Sequence, residues 1–172
     1  MIHVRTRIER PKDGIVSSFY SIPSATIHEA GGRIGFIDPA IKPISKGMKI
    51  CGPAFTVQCA PGDNLMLHKA LEKALPGDVI VASVGGGYEY GYFGGLMAVS
   101  AMSRKVAGLA IDGCIRDSQE IIRMGFSIFS RGTAIRGTVK GTLGLVNYPI
   151  VFSGLMVNPG DLIVGDDDGL VA

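Results

Sequence analysis

The middle of the chain alternates between two hydrophobic patterns. Short, nearly continuous apolar runs are typical of buried strands, and three such runs cover 48–59, 79–84 and 108–112. Between the first two runs, apolar residues recur at helical spacing, which predicts an amphipathic helix over 64–75. Two more helices are predicted over 96–105 and 117–123. This β-α-β-α-β order indicates an α/β domain with a parallel central sheet.

The flanking segments predict shorter elements. Ser24 or Thr26 is expected to cap a short helix over 24–30, with Glu29 placed to reach back to the cap. The last third of the chain predicts short strands over 126–130, 133–139, 143–147, 150–152 and 162–165. Asp168-Gly169 is typical of a hairpin turn. The tripeptide Pro-Gly-Asp begins at positions 61, 76 and 159, which we interpret as recurring turn chemistry and not as a repeat array.

Composition narrows the class of protein. Hydrophobic residues make up 47% and charged residues 19% of the 172 residues, a balance that excludes intrinsic disorder. The net charge is only +2, and the chain has no long basic run, so no nucleic-acid partner is expected. Trp is absent and aromatic residues make up 7%, which argues against a base-stacking surface.

Several features indicate a cytoplasmic protein with no membrane partner. The start of the chain, 1–5, is not followed by the apolar stretch of a secretory signal. The longest uncharged run, 141–160, is interrupted by proline, asparagine and glycine, so a membrane-spanning helix is not expected there. Cys51, Cys59 and Cys114 lack a CxxC pair, which favours reduced, buried thiols over disulfides or a zinc site.

Two turns that follow neighbouring strands carry the most promising chemistry. Gly94-Gly95-Leu96-Met97 opens a helix, and bare amides at a helix start suit a carboxylate. Arg116 offers a planar fork for the same carboxylate, and Asp117 is a hard oxygen ligand for Mg²⁺ or Mn²⁺. Ligands of such sheets bind beyond the carboxyl ends of the strands. The sequence therefore predicts a site for a small 2-oxo acid chelated to a metal. The alternative is that Asp117 is an ordinary cap, Arg116 a surface side chain, and the glycines mere turns.

Other candidate groups favour ordinary roles. The glycines at 85–87 lack both common phosphate-loop patterns. His68 is expected to be a packed or capping side chain, and the aspartates of 166–169 are expected to form a turn. Lysines on the predicted helices are expected to be solvated, not Schiff-base nucleophiles; they are Lys69, Lys73 and Lys105.

Motifs along nearly the whole chain resemble those of the RraA-like family, which includes 4-hydroxy-4-methyl-2-oxoglutarate aldolase and 4-carboxy-4-hydroxy-2-oxoadipate aldolase. The matching stretches include Ala25-Thr26-Ile27-His28-Glu29-Ala30, Cys51-Gly52-Pro53-Ala54-Phe55-Thr56-Val57, Pro61-Gly62-Asp63-Asn64, Asp112-Gly113-Cys114-Ile115-Arg116-Asp117 and Gly165-Asp166-Asp167-Asp168-Gly169. Because they occur in the family's order, together they are more specific than any single motif.

The resemblance implies a fold and an activity. The implied fold is a three-layer β/β/α sandwich like the phosphohistidine swivelling domain, as a single domain over 1–172 without the family's C-terminal helix, assembled as a homotrimer or hexamer. The implied activity is that of a class II pyruvate aldolase dependent on Mg²⁺ or Mn²⁺. Arg116 would bind the pyruvyl oxygens, Asp117 would hold the metal, and the amides of 94–97 would receive the pyruvate carboxylate.

The expected reaction is cleavage of a 4-hydroxy-2-oxo di- or tricarboxylic acid to pyruvate and a second oxo acid, with oxaloacetate decarboxylation as a related activity. The chain departs from the resemblance at Gly95, where the family pattern places an acidic residue. It also ends at Ala172, soon after the aspartate turn. Both departures keep open an alternative function, a non-catalytic regulator of ribonuclease machinery that acts by protein contact.

Overall fold

The computed structural model of the chain describes residues 3–172, so Met1 and Ile2 of the N-terminal prediction lie outside the described residues. The helices are α1 (Asp13–Phe19), α2 (Ser24–Ala30), α3 (Leu65–Lys73), α4 (Gly95–Ser103) and α5 (Ser118–Met124). The strands are β1 (Lys42–Pro43), β2 (Ile50–Gln58), β3 (Val79–Ser83), β4 (Gly108–Ile115), β5 (Ile128–Thr133), β6 (Leu145–Val146), β7 (Ile150–Phe152), β8 (Leu155–Val157), β9 (Leu162–Asp166) and β10 (Gly169–Val171).

The strands form one large, nearly closed sheet and a separate hairpin. The eight-stranded sheet has the order β1-β5-β4-β3-β2-β9-β10, and β6 pairs with β2 beside this path. Neighbours within β2-β3-β4-β5 are parallel, as the alternating pattern predicts. The two ends of the sheet approach each other. This proximity is shown by a hydrogen bond in which Lys42 Nζ on β1 donates to Asp168 O, 2.6 Å away at the β9–β10 turn.

Both faces of the sheet are covered. One face packs against α3, α4 and α5 through an apolar cluster that includes Phe55, Leu67 and Ile121. The other face packs against the β7–β8 hairpin, whose Phe152 is fully buried beside Val81. These layers confirm a mixed α/β fold, and the finer resemblance to the phosphohistidine swivelling domain stays a prediction.

The three Pro-Gly-Asp tripeptides form the same turn, which confirms the predicted turn chemistry. In each, the aspartate amide donates to the carbonyl three residues earlier, at distances of 3.1, 3.1 and 3.2 Å. The glycines at 62, 77 and 160 all have positive φ, as a type II turn with proline before glycine requires. The turns lead into α3, β3 and β9.

Several local predictions are wrong. Ser24 does not cap α2, because its amide and hydroxyl both donate to the Asp166 carboxylate, at 2.8 and 2.6 Å, while Glu29 pairs with Arg33. Residues 134–139 form no regular strand. Ala134 N donates to the end of β4, and the other backbone bonds go to loops and turns, such as Gly91 N to Arg136 O. The strand predicted over 108–112 is too short, because β4 continues to Ile115. Pattern analysis also missed α1 and β8.

The structure also bears on the membrane and cysteine predictions. Within residues 3–172, none of the helices combines the length and apolarity needed to cross a bilayer. The uncharged run 141–160 contains β6, β7 and β8. Cys51, Cys59 and Cys114 are free thiols, as predicted, although Cys114 is only half-buried. Burial raises the pKa of Cys59 to about 12, so this thiol is inert at neutral pH.

Candidate active site

A cleft of about 350 Å³ lies beyond the carboxyl ends of β2, β3 and β4. The predicted site residues all line this cleft; they are Gly94, Gly95, Leu96, Met97, Arg116 and Asp117. The parallel pairing explains their meeting, because the loops after neighbouring parallel strands emerge at the same edge of the sheet.

The start of α4 forms one wall of the cleft. A Cβ built on Gly94 would lie 2.6 Å from Asp117 Oδ2, so any larger residue would displace this carboxylate. The Gly95 amide donates to Asp117 Oδ2 at 3.0 Å, whereas the Met97 amide donates to Gly94 O at 3.0 Å. The Leu96 amide belongs to the first helical turn, for which a helix provides no internal acceptor.

Asp117 occupies an unusual backbone position. Its φ is +60° and its ψ is 30°, in the left-handed region that non-glycine residues seldom adopt. The Asp117 side chain makes no capping bond to α5, so the ordinary-cap alternative is wrong. Its carboxylate instead crosses to the first amide of α4. Asp adopts the left-handed region more readily than most residues, and here this backbone turns its carboxylate toward α4 and the cleft.

Arg116 lies between two loops that border the cleft. Its amide donates to Phe93 O at 2.9 Å, and a Cβ on Gly91 would lie 3.0 Å from the Arg116 Cβ. Its Nε is 3.9 Å from Asp117 Oδ2, at the outer limit of an ion pair. The side chain is half exposed, so the guanidinium can still bind an anion in the cleft.

Pattern analysis missed three polar residues in the same cleft: Asn64, His68 and Lys140. Asn64 is 5% exposed, and its Nδ2 donates to Tyr92 O at 2.8 Å. Within residues 3–172, neither Asn64 Oδ1 nor His68 Nε2 has a hydrogen-bond partner, although both atoms are buried. Buried polar atoms are normally paired, so these two indicate a place for water or a ligand.

The electrostatics of these residues favour an uncharged imidazole beside a cation. His68 was expected to be an ordinary packed or capping side chain, but it faces the cleft. Burial, followed by the charge of Lys140, lowers the pKa of His68 below its usual value of 6.5. The spacing of Asn64 and His68, four residues apart at the start of α3, was the signal that could have identified them.

Asp63 holds the segment that carries Lys140. Its buried carboxylate accepts bonds from the amides of Leu65, Gly141 and Thr142, at 2.8, 2.7 and 2.7 Å. Burial alone would raise the pKa of Asp63, but these amide donors outweigh burial and lower it. The carboxylate therefore stays ionised and links the start of α3 to the loop after Lys140.

The donor set fits a magnesium-type ion better than a zinc-type ion. Within residues 3–172, no group of three or more His, Cys, Asp or Glu side chains converges on one point. Mg²⁺ is commonly held by one or two carboxylates, with water and substrate oxygens completing its shell. Asp117 is partly exposed in the cleft and is held in place by Gly95, so it can serve as such a carboxylate.

Comparisons with known proteins agree with this fold. The family model described as "RraA-like: Aldolase/RraA" matches residues 22–172. A Halalkalibacterium halodurans protein named "Putative 4-hydroxy-4-methyl-2-oxoglutarate aldolase" is 39% identical over 155 residues, which cover 90% of this chain and 74% of that protein. A Burkholderia multivorans protein of the same name is 29% identical over 142 residues, which cover 83% of this chain and 86% of that protein.

Solved structures show the same likeness. Streptomyces coelicolor RraAS2, described as an unusual member of the RNase ES inhibitor RraA protein family, has a TM-score of 0.84 and 31% identity. That match covers 96% of this chain and 87% of the other. A Geobacillus kaustophilus protein described as an S-adenosylmethionine:2-dimethylmenaquinone methyltransferase has a TM-score of 0.80 and 29% identity, covering 87% of this chain and 93% of the other.

Proposed function

The chain belongs to the RraA-like family, and from that premise we propose that it is a class II pyruvate aldolase. Its substrate would be a 4-hydroxy-2-oxo di- or tricarboxylic acid, cleaved to pyruvate and a second oxo acid. The observation that carries this proposal is the convergence of Arg116, Asp117 and the start of α4 on one cleft. That cleft also contains buried polar atoms that lack a partner among the described residues.

Two groups of this protein would bind the 2-oxo acid end of the substrate. The Leu96 amide and the positive end of α4 would receive the carboxylate. Arg116 would bind the keto oxygen, on which negative charge develops as the enolate forms. The Arg116 backbone is held by Phe93, so its half-exposed guanidinium starts from a fixed position beside the cleft.

Asp117 would hold Mg²⁺ or Mn²⁺, which supplies Lewis-acid stabilisation of the enolate when bound. The Gly95 amide fixes the orientation of the Asp117 carboxylate. The neutral His68 and the cationic Lys140 provide further polar contacts for the part of the substrate that leaves as the second oxo acid. Oxaloacetate decarboxylation passes through the same enolate, so we propose it as a related activity.

Assembly into a homotrimer or hexamer is also a proposal. Leu96 and Ile135 are 89% and 94% exposed, and both lie beside Arg116 and Asp117 at the rim of the site. Large apolar side chains that cluster on a surface favour a protein contact. Sedimentation or mass photometry would measure the assembly, and a monomer at micromolar concentration would contradict this proposal.

Substitution of the two charged residues tests the proposed function. Arg116→Ala and Asp117→Asn are each expected to lower kcat/KM for metal-dependent pyruvate formation by about 10²–10³, the usual effect of removing a group that stabilises developing charge. Arg7→Ala is the matched control, because Arg7 is an exposed arginine that does not line the cleft. Wild-type turnover by Asp117→Asn would refute the assignment.

A second candidate function is regulation of ribonuclease machinery by protein contact. It is favoured by the similarity to RraAS2 and by Gly95 at the position where the resemblance places an acid. A contact regulator needs no divalent ion. Inhibition of a ribonuclease by wild type and by Asp117→Asn alike, in EDTA and without pyruvate formation, would favour it over the aldolase.

A further inference from the structure

Two consecutive glycines at the start of α4 each leave room for a carboxylate from outside the helix. A Cβ built on Gly94 would lie 2.6 Å from Asp117 Oδ2. A Cβ built on Gly95 would lie 2.5 Å from Glu120 Oε2 and 3.0 Å from its Cδ. Both distances are far shorter than real Cβ contacts, so the Glu120 carboxylate occupies the space into which a side chain at position 95 would extend.

Both carboxylates lie against the same residue, Gly95. Asp117 Oδ2 accepts the Gly95 amide at 3.0 Å, and the Glu120 carboxylate from α5 fills the space beside the Gly95 Cα. In the described range 3–172, Glu120 has no hydrogen-bond or ion-pair partner. Asp117 has the Gly95 amide and a distant contact to Arg116. Glu120 therefore keeps a free carboxylate at the same glycine whose amide orients Asp117.

A separate observation shows that this edge of the sheet is built for a ligand. Asn64, which is 5% exposed, lines the cleft together with Gly95 and Asp117. Its buried Oδ1 has no partner among the described residues. Asp117 and Gly95 therefore border a cleft that already contains an unsatisfied polar atom, and Glu120 lies against Gly95 from the side of α5.

Resting on the proposed function, we propose that Glu120 is the second carboxylate of the site and reaches it through the gap left by Gly95. Its carboxylate would accept hydrogen bonds from water beside Asp117, and so help to position the groups around a cation that Asp117 would hold. Glu120 is thus a positioning residue, because it acts through water and Asp117. Glu120 on α5 thus takes the place of the acidic residue that the family pattern has at position 95.

Glu120 also lies in the first turn of α5, where a carboxylate stabilises the helix through its dipole without any catalytic role. Moving the carboxylate from α5 to α4 distinguishes stabilisation of the α5 dipole from the proposed positioning role. In Glu120→Ala the gap beside Gly95 is open, and Gly95→Asp can place a carboxylate in it from α4. If only the dipole of α5 matters, an acid on α4 cannot replace Glu120.

The experiment compares Glu120→Ala, Gly95→Asp, the double variant and the control Gln119→Ala, whose exposed side chain neighbours Glu120. Readouts are kcat and KM for pyruvate formation, and the Mn²⁺ dissociation constant of metal-free protein by titration calorimetry. Glu120→Ala is expected to lower kcat and weaken Mn²⁺ binding by about 10–100-fold, the range seen for groups that orient metal ligands, with a smaller change in KM. Gln119→Ala should match wild type.

The double variant decides the proposal. Gly95→Asp alone is expected to impair activity, because its side chain collides with Glu120, yet in the Glu120→Ala background the same change should restore Mn²⁺ affinity and kcat by about tenfold or more. The proposal is overturned if folded Glu120→Ala binds Mn²⁺ like wild type, or if the double variant recovers nothing. Wild-type protein that binds Mn²⁺ through Glu120 but forms no pyruvate would refute the proposed function and leave Glu120 supported. Wild-type protein that binds no Mn²⁺ would refute both.

Discussion

Replacing Asp63 with asparagine should destabilise the protein far more than an isosteric change usually does. Asp63 Oδ2 accepts two amides, those of Gly141 and Thr142, both at 2.7 Å, and Oδ1 accepts the Leu65 amide at 2.8 Å. An asparagine side chain has only one acceptor oxygen, so its NH₂ group must face at least one of these donors. In the better orientation, two amides bond to a neutral oxygen instead of a charged one. The third amide then faces the NH₂ group of the asparagine, which is a repulsive contact.

The magnitude follows from these bonds. A hydrogen bond to a charged group contributes about 1.5–3 kcal/mol and a neutral one about 0.5–1.5 kcal/mol, while a buried unpaired donor costs about 1–3 kcal/mol. Two weakened bonds and one unpaired donor give a loss of about 3 kcal/mol for Asp63→Asn. In a chain of this size, such a loss lowers Tm by roughly 6–12 °C. Because the affected loop carries Lys140, KM should rise more than kcat falls.

Urea unfolding followed by circular dichroism measures the free energy directly. Asp161→Asn is the matched control, because Asp161 ends another Pro-Gly-Asp turn but is partly exposed, and within residues 3–172 its carboxylate accepts bonds only from the nearby Asn158. Asp161→Asn should cost less than about 1 kcal/mol. Equal losses for the two variants would refute the argument that Asp63 joins distant segments.

The pH dependence gives a second check on Asp63. Its pKa is lowered from 3.8 in the folded state, so its contribution is complete above that value and is lost as pH falls through the lower folded pKa. The difference in unfolding free energy between wild type and Asp63→Asn should therefore shrink under strongly acidic conditions. A difference that stays constant there would contradict the assignment of the charge to these bonds.

Three further predictions concern stability. Tyr92→Phe leaves the Gly62 amide, now 2.7 Å from the Tyr92 hydroxyl, without an acceptor, and should cost about 1–3 kcal/mol by urea unfolding. Asp78→Ala leaves Arg10 without its paired contacts at 2.7 and 2.9 Å, and should cost about 3–5 kcal/mol; a loss below 1 kcal/mol would refute that pairing. Because the pKa of His68 is lowered from 6.5, wild type should lose stability as pH falls below that value, and His68→Gln should remove this part of the dependence in parallel urea titrations.

Much of the scaffold could be predicted from the sequence because its signals are local. The apolar runs of β2, β3 and β4 and the helical spacing of α3 identify elements whose own residues decide their structure. The three Pro-Gly-Asp turns follow from the conformations of proline and glycine alone. Because parallel strands end at the same edge of a sheet, Arg116 and the start of α4 could be placed close together from the sequence alone.

The remaining parts of the site depend on contacts between distant segments. Lys140 borders the cleft because Asp63, far away in the chain, holds the amides that follow it. Asp117 has the residue type of a helix cap, but its left-handed backbone sends the carboxylate to α4. Glu120 resembles a solvated helix residue in the sequence, and only the approach of α5 to Gly95 shows where its carboxylate lies.

Pyruvate formation tests the central claim most directly. Wild-type protein is mixed with 4-hydroxy-4-methyl-2-oxoglutarate or with oxaloacetate, in Mg²⁺ or in EDTA, and pyruvate is followed with time. The proposed site predicts pyruvate in Mg²⁺, little in EDTA, and a loss of about 10²–10³ in kcat/KM for Arg116→Ala. Absence of pyruvate from both substrates in Mg²⁺, or turnover that neither EDTA nor Arg116→Ala reduces, would contradict it.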